Sequence, residues 1–156
     1  MNGCDMIANL TTLPENRIPE GVRLKRAISC DKSRILAFIR LHFGRQWADE
    51  TEYALNREPQ GCFIATENGK ILGFACYDAT AKGFFGPTGV AASQRGRGIG
   101  RALLIRTLEG MREAGYGYAV IGSVDDAEGF YKKTLNASYI PGGEPEHSVY
   151  TRLVKM

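Results

Sequence analysis

Residues 94–104 read Gln-Arg-Gly-Arg-Gly-Ile-Gly-Arg-Ala-Leu-Leu, and this stretch decides how the rest of the chain is interpreted. Before it, an apolar run ending at Gly89-Val90-Ala91-Ala92 is typical of a β-strand. After it, apolar residues recur at helical spacing until Gly115 offers a stop; they are Ile99, Leu103, Leu104, Leu108 and Met111. The sequence therefore predicts a strand, a glycine-rich turn and the N-terminus of a helix.

A turn of this kind is suited to bind a phosphate group. It presents several unpaired backbone N–H groups at the positive end of the helix dipole, and glycines allow an anion to approach the backbone closely. The Gly-Lys-Ser/Thr triplet of a P-loop does not occur, and the dinucleotide pattern G-x-G-x-x-G fails because Arg101 stands three residues after Gly98. The pattern that remains is Arg95-x-x-Gly98-x-Gly100.

This pattern resembles the acyl-CoA pyrophosphate loop of the GCN5-related N-acetyltransferases (GNAT), which is Arg/Gln-x-x-Gly-x-Gly/Ala. All three specified positions match, and the strand before and the helix after are in place. The alternatives are a solvated basic turn or a fragment of an arginine-glycine tract that binds nucleic acid. Such tracts are of low complexity and are not followed by an amphipathic helix, which disfavours the second alternative.

Composition narrows the class of protein. A chain of 156 residues, 44% hydrophobic and 24% charged, is typical of one soluble globular domain. The net charge of +3 is too small to indicate nucleic-acid binding. Four scattered cysteines and two histidines do not predict a metal site, and free thiols are typical of a reducing compartment. No apolar run has the length of a membrane span and no signal peptide is recognisable, so we expect a cytoplasmic protein without a membrane partner.

The order of predicted elements supports the same resemblance. Residues 1–20 are interpreted as an N-terminal arm or edge strand, and residues 21–156 as one domain with the order β, α, α, β, β, β, α, β, α, β. The last strand is predicted at Ser148 to Val154, and Asn68-Gly69 is predicted to form a hairpin turn. In the family this order gives an α/β (α+β) fold with one mixed, largely antiparallel sheet flanked by helices. Two parallel strands splay apart there to admit the pantetheine arm, and Gly86-Pro87 stands where the family has a strand bulge.

The resemblance implies a set of residues that bind acetyl-CoA. The loop backbone and the charges of Arg95 and Arg97 hold the pyrophosphate, the strand backbone pairs with the pantetheine amides, and an N–H near Val90 or Ala91 polarises the thioester carbonyl. The side chains of Arg101 and Arg106 are interpreted as surface charges. The predicted cofactor-binding positions are Val90, Ala91, Ala92, Arg95, Gly96, Arg97, Gly98, Ile99, Gly100 and Arg101.

Tyr131 is the predicted catalytic side chain. The segment Asp125 to Lys133 resembles the family region Asn-x-x-Ala-x-x-Phe-Tyr, whose tyrosine hydroxyl protonates the departing CoA thiolate. A phenol with a pKa near 10 keeps its proton at neutral pH and can donate it to a thiolate. The alternative is an aromatic core residue with a polar tip. Asp replaces the usual Asn here, and Asn136-Ala137 replaces the usual Gly-Phe.

The general base cannot be assigned from the sequence. The strand Phe84 to Ala92 contains no acidic residue, so the glutamate that some family members place there is missing. Asp78, Asp125, Asp126 and His147 are candidates, as is a base acting through water, while either aspartate of the pair is equally interpreted as a helix cap.

Residues 42–53 lie where the family usually contacts its acceptor. They combine the only Trp of the chain with three carboxylates that could receive a cationic amine. A solvated acidic helix face with Trp47 and Tyr53 packed inward is the simpler interpretation.

The resulting hypothesis is an acetyl-CoA-dependent N-acetyltransferase acting on a primary amine of a small molecule or protein, with no metal. A non-catalytic acyl-CoA sensor is the alternative, and a nucleic-acid module based on Arg95, Arg97 and Arg101 is disfavoured by the small net charge. The resemblance also leads us to expect a homodimer.

Overall fold

The computed structural model describes residues 2–155, so Met1 and Met156, the outer ends of the predicted arm and domain, lie outside the described residues. Within this part of the chain there are seven strands: β1 (Cys4–Asn9), β2 (Arg23–Arg26), β3 (Cys62–Glu67), β4 (Lys70–Tyr77), β5 (Phe84–Val90), β6 (Tyr118–Val124) and β7 (Ser138–Tyr139). The same residues form four α-helices: α1 (Lys32–Phe43), α2 (Arg45–Leu55), α3 (Ile99–Glu113) and α4 (Glu128–Leu135).

All seven strands form one mixed sheet in the order β2-β3-β4-β5-β6-β1-β7. Every neighbouring pair is antiparallel except β5 and β6, which run parallel. The predicted fold class is confirmed. The predicted hairpin between β3 and β4 is also present, with left-handed φ values of 51° at Asn68 and 77° at Gly69.

Side-chain alternation along the central strands divides the core between the two faces of the sheet. In β3, Phe63 and Ala65 pack toward α3 and α4, whereas Cys62 and Ile64 pack toward α1 and α2. Because both faces are covered, these strands are nearly continuous apolar runs. This burial fixes β4, which in turn pairs with the less buried strand β5.

The parallel pair β5 and β6 separates part-way along. The register pairs only Phe84 with Val120 and Phe85 with Ile121, and the strands diverge beyond these pairs. On the other side of β5, the register with β4 shifts between Ala75 and Tyr77. This irregularity lies opposite Gly86-Pro87, where a bulge was predicted. The second half of β5 and the end of β6 therefore enclose a gap.

Two terminal elements differ from the expectations. The N-terminal strand β1 is neither a free arm nor an edge strand, because it lies between β6 and β7 and pairs with both. The predicted strand Ser148 to Val154 is wrong: Val149–Arg152 forms a 3-10 helix whose first turn is capped by the Ser148 hydroxyl. Since β1 occupies the place beside β6, the end of the chain folds over the sheet instead.

Helix α4 also begins differently from its prediction. Neither Asp125 nor Asp126 caps it; the N-cap position is Ala127, with no side-chain hydrogen bond. The turn before the helix is closed by the backbone instead, with the Glu128 N–H 3.4 Å from Asp125 O.

Candidate active site

A cavity of about 970 Å³ occupies the gap between β5 and β6. One end is formed by the turn before α3 and the first residues of that helix. The other end is formed by α2, the β4–β5 loop and the residues after Ser148. Tyr131 of α4 lines the cavity, as do Gly86 to Val90 of β5.

Backbone N–H groups converge at the first end. The first intrahelical bond described for α3 runs from Ala102 N–H to Gly98 O, 3.1 Å, so the N–H groups of residues 99–101 have no carbonyl partner within the described chain. Gly96 and Gly98 both adopt φ of 83°, a left-handed conformation that favours glycine. A Cβ at Gly98 would meet only Pro19 Cγ, at 3.8 Å, so the turn is open toward solvent. We call this turn, residues 95–101, the N–H cradle.

The three arginines of the cradle point in different directions. Arg95 and Arg101 line the cavity; Arg95 Nε donates to Val90 O at 3.2 Å. Arg97 pairs instead with Glu67 of the β3–β4 hairpin, Nη2 to Oε2 2.9 Å, which lowers the pKa of that carboxyl. The positive charge facing the cavity therefore comes from Arg95 and Arg101.

The ladder between β4 and β5 determines which backbone groups face the gap. Ala91 N–H donates to Leu72 O at 2.9 Å and is occupied. Because Val90 is paired with Gly73, this bond makes them a non-hydrogen-bonded pair, whose own N–H and C=O groups point away from the partner strand. The Val90 N–H thus faces the gap, and of the two N–H groups predicted to polarise a thioester, it is the free one.

Tyr131 stands beside this gap in an apolar setting. Its side chain is buried, and its ring lies 6.5 Å from that of Phe85, centroid to centroid. Burial raises the pKa of Tyr131 to about 12, with a smaller contribution from Tyr150. The phenol is therefore protonated throughout the neutral range, as a proton donor must be.

Asp5 holds the opposite wall of the gap. This buried residue of β1 accepts a hydrogen bond from Ser123 N–H at 2.8 Å, where β6 takes a left-handed φ of 51°. The β1–β6 register shifts at the same place, between Cys4 and Met6. The N-terminal strand thereby positions the end of β6 that borders the cavity.

The far end of the cavity is built from side chains. Phe43 and Trp47 stack with ring centroids 5.5 Å apart, and Phe43 lies so close to β5 that a Cβ at Gly89 would come within 2.5 Å of it. Glu50 accepts a hydrogen bond from Thr80 Oγ1 at 2.6 Å. The pKa of Glu50 is raised, mainly by burial, although the Thr80 hydrogen bond opposes the shift.

The sequence profile described as Acetyltransferase (GNAT) family matches residues 30–136, well over half of the chain. The chain belongs to the GNAT acetyltransferase family. No curated protein sequence matches it significantly.

Solved structures of similar fold include a GCN5-related N-acetyltransferase from Sphaerobacter thermophilus, 24% identical with a TM-score of 0.70, covering 88% of this chain and 48% of that one. Another is a GCN5-related N-acetyltransferase from Kribbella flavida, which is 18% identical with a TM-score of 0.66; the match covers 89% of this chain and 55% of that one. An aminoglycoside acetyltransferase from an uncultured soil metagenomic sample, in complex with sisomicin, is 17% identical with a TM-score of 0.54. That match covers 73% of this chain and 87% of the aminoglycoside acetyltransferase. The GNAT chain thus spans about half the length of the first two structures.

The structure brings most of the predicted GNAT site residues together. Those that line the cavity are Val90, Arg95, Gly96, Gly98, Ile99, Gly100, Arg101 and Tyr131. Ala91, Ala92 and Arg97 do not line it. Arg101, interpreted from sequence as a surface charge, is at the cavity and its Nη1 lies 3.4 Å from Glu15 O.

The predicted base candidates are mostly engaged elsewhere. Asp78 accepts hydrogen bonds from the Tyr116 hydroxyl and from Gly83 N–H, 2.7 Å in the second case, and does not line the cavity. His147 contacts Glu144 outside the cavity. Asp125 borders the cavity but is exposed, and Asp126 does not border it.

Sequence reasoning missed Thr80 and Tyr150, and gave Glu50 only as one of three carboxylates. A signal for Glu50 was present: Phe43, Trp47 and Glu50 recur at a spacing of three or four residues, which places them along one side of the helical region. Nothing in the local sequence indicates that Tyr150 reaches the same cavity.

No group of three or more potential metal-ligating side chains occurs among residues 2–155. In the same part of the chain, no helix is both long and apolar enough to span a membrane.

Proposed function

We propose that this GNAT chain transfers an acetyl group from acetyl-CoA to a primary amine of a small molecule or protein, directly within a ternary complex. The observation that carries the proposal is the continuity of the cavity: it runs from the N–H cradle, past the free Val90 N–H and Tyr131, to a half-buried carboxylate. A cofactor and an acceptor can therefore meet in one enclosure.

The cradle supplies what a pyrophosphate needs. Unpaired N–H groups at a helix N-terminus, left-handed glycines and the charges of Arg95 and Arg101 together favour a bound anion. The exposed edge of β5 offers backbone groups to the amides of an extended pantetheine arm, because β6 has diverged from it. The fit is to coenzyme A as cosubstrate.

Two groups act on the thioester in this proposal. The Val90 N–H donates a hydrogen bond to the thioester oxygen, where negative charge develops as the amine attacks. Tyr131 donates its proton to the departing thiolate, and the burial of the phenol keeps that proton in place until it is needed. No metal takes part.

The test is the variant Tyr131→Phe, assayed by thiol release with acetyl-CoA and an amine panel. We expect kcat to fall by about 100-fold, because a positioned proton donor is lost, while acetyl-CoA binds as in the wild type by calorimetry. Tyr118→Phe, an exposed residue of β6, is the matched control and leaves kcat unchanged.

A non-catalytic sensor gives a different result. Its wild type binds acetyl-CoA but releases no thiol with any amine, and Tyr131→Phe has the same affinity for acetyl-CoA and the same lack of turnover. Equal kcat values in an active wild type and in Tyr131→Phe would remove Tyr131 from the mechanism.

A further inference from the structure

The far end of the cavity holds a carboxylate with no cationic partner. Glu50 is half-buried on α2 and borders the cavity, yet no ion pair described within residues 2–155 includes it. Its hydrogen-bond donor is the neutral Thr80 hydroxyl, 2.6 Å from Oε1. Partial burial makes a carboxylate without a cation costly, so a ligand that brings one is favoured there.

Tyr150 completes the polar part of this end. Its ring lies against β6, where a Cβ at Gly122 would be 3.0 Å from the Tyr150 hydroxyl. Burial raises the pKa of Tyr150, the neighbouring Thr80 opposes the shift, and the nearby charges of Glu50 and Asp5 add to it. A hydroxyl from the end of the chain, a hydroxyl from the β4–β5 loop and a carboxylate from α2 therefore meet at the cavity.

The rest of this end is mainly apolar and aromatic, with Gln46 as a further neutral polar residue. Phe43 and Trp47 form a stacked pair beside Glu50, and Phe85 lies on the floor. Among residues 2–155, the only other carboxylate that borders the cavity is Asp125, which is exposed and belongs to the β6–α4 connection. The acceptor end thus offers one half-buried negative charge and an aromatic surface, which suits a ligand with one ammonium group and an apolar body.

We propose that Glu50, held by Thr80 and flanked by Tyr150, binds the ammonium group of the acceptor and takes its proton. The acceptor in this proposal is a small monocationic primary amine whose aromatic or aliphatic body lies on Phe43 and Trp47. This inference rests on the proposed function for its chemical step, but the binding site stands independently of turnover. It deepens that function by naming the acceptor class and the missing base.

The step balances with the groups present. The ammonium gives one proton to Glu50, which releases it to solvent, and the neutral amine forms the new N–C bond as the C–S bond breaks. The thiolate takes the Tyr131 proton, and the second proton lost by the nitrogen restores Tyr131. One proton is released for each acetyl group transferred.

Trp47 is the only Trp of the chain and lines the cavity, so its fluorescence reports acceptor binding directly. The experiment titrates 2-phenylethylamine, hexylamine and the uncharged analogue 2-phenylethanol into the CoA-saturated protein. It compares wild type, Glu50→Gln and the control Asp49→Asn, an exposed carboxylate on the same helix. Thiol release from acetyl-CoA is measured with the same amines.

We expect wild type and Asp49→Asn to bind 2-phenylethylamine at least about tenfold more tightly than 2-phenylethanol, because an ammonium–carboxylate hydrogen bond is made only with the amine. Glu50→Gln loses this preference and its kcat/KM falls by a comparable or larger factor. Any of three results would overturn the proposal: the wild type binds neither amine, the wild type binds the amine and the alcohol with equal affinity, or Glu50→Gln still binds the amine more tightly than the alcohol.

The two proposals fail in different ways. A charge preference that depends on Glu50, without thiol release, leaves the acceptor site standing and removes the acetyl-transfer function. Thiol release that is unchanged in Glu50→Gln leaves the function standing and removes Glu50 from it.

Discussion

The two ends of the cavity are built by different means. The end proposed to bind the cofactor, hereafter the cofactor end, uses backbone N–H groups and glycine conformations from one continuous stretch, residues 90–101. The proposed acceptor end uses side chains from distant places: the end of α1, α2, the β4–β5 loop and the residues after Ser148. A site made of backbone is specified by local sequence, whereas a site made of side chains exists only once the sheet and helices have come together.

The largest effect is expected from removal of the Val90 N–H, a backbone donor that faces the gap. Val90→Pro removes the N–H that faces the gap, but it removes no bond to β4, because Val90 belongs to a non-hydrogen-bonded pair. We expect kcat to fall by about 100-fold or more, the usual loss when one oxyanion donor is removed. Val90→Ala keeps the N–H and is the matched control, with a modest change in kcat.

Thiol-release kinetics at saturating substrates measure this effect, and circular dichroism confirms that both Val90 variants are folded. A kcat for Val90→Pro within a few fold of that for Val90→Ala would show that this N–H does not act on the thioester.

A smaller effect, on the affinity for CoA, is expected from the arginines of the cradle, which differ in whether they face the cavity. Arg95→Ala removes a guanidinium that borders the cavity, whereas Arg97→Ala removes one already paired with Glu67. Calorimetry with CoA is expected to show about tenfold weaker binding for Arg95→Ala, since a charge-assisted hydrogen bond to phosphate is lost. Arg97→Ala changes the affinity by less than about threefold, as exposed ion pairs contribute little. The reverse ranking would mean that Arg97 leaves Glu67 to bind the cofactor.

The smallest effect is an absence of pH dependence. Burial raises the pKa of Tyr131 to about 12, so this proton donor stays loaded as the pH rises and would be lost only on approaching that value. Loss of the Tyr131 proton is therefore not expected to lower kcat between pH 7 and 10 when the amine is saturating. A decline centred below pH 9 in the wild type would contradict the assigned environment of the phenol.

The fold and the cradle could be read from sequence because their signals are local. Helical spacing after residue 98, the Asn68-Gly69 turn and the glycine pattern each specify a conformation within a few residues. Two elements could not be predicted in this way: β1 takes its place by pairing across the sheet with β6, and Ser148 to Val154 lacks a strand partner as a result.

The same limit applies to individual side chains. Arg97 fits the loop pattern, yet its direction is set by Glu67, thirty residues earlier on a neighbouring hairpin. Tyr150 was assigned to a strand, and only the observed 3-10 helix brings it to the cavity beside Thr80 and Glu50. Pairings between distant segments, which no local pattern records, decided both outcomes.

Binding of the cofactor by the N–H cradle underlies every step proposed above, and it is measured by titration calorimetry of acetyl-CoA into wild type and Gly98→Trp. Gly98 has a left-handed φ of 83°, and an indole there would fill the space above the unpaired N–H groups. Gly142→Trp is the control, since Gly142 has a similar φ of 80° and open surroundings but does not border the cavity. We expect binding by wild type and Gly142→Trp and none by Gly98→Trp. No binding by wild type, or undiminished binding by Gly98→Trp, would rule out the cradle as the cofactor site.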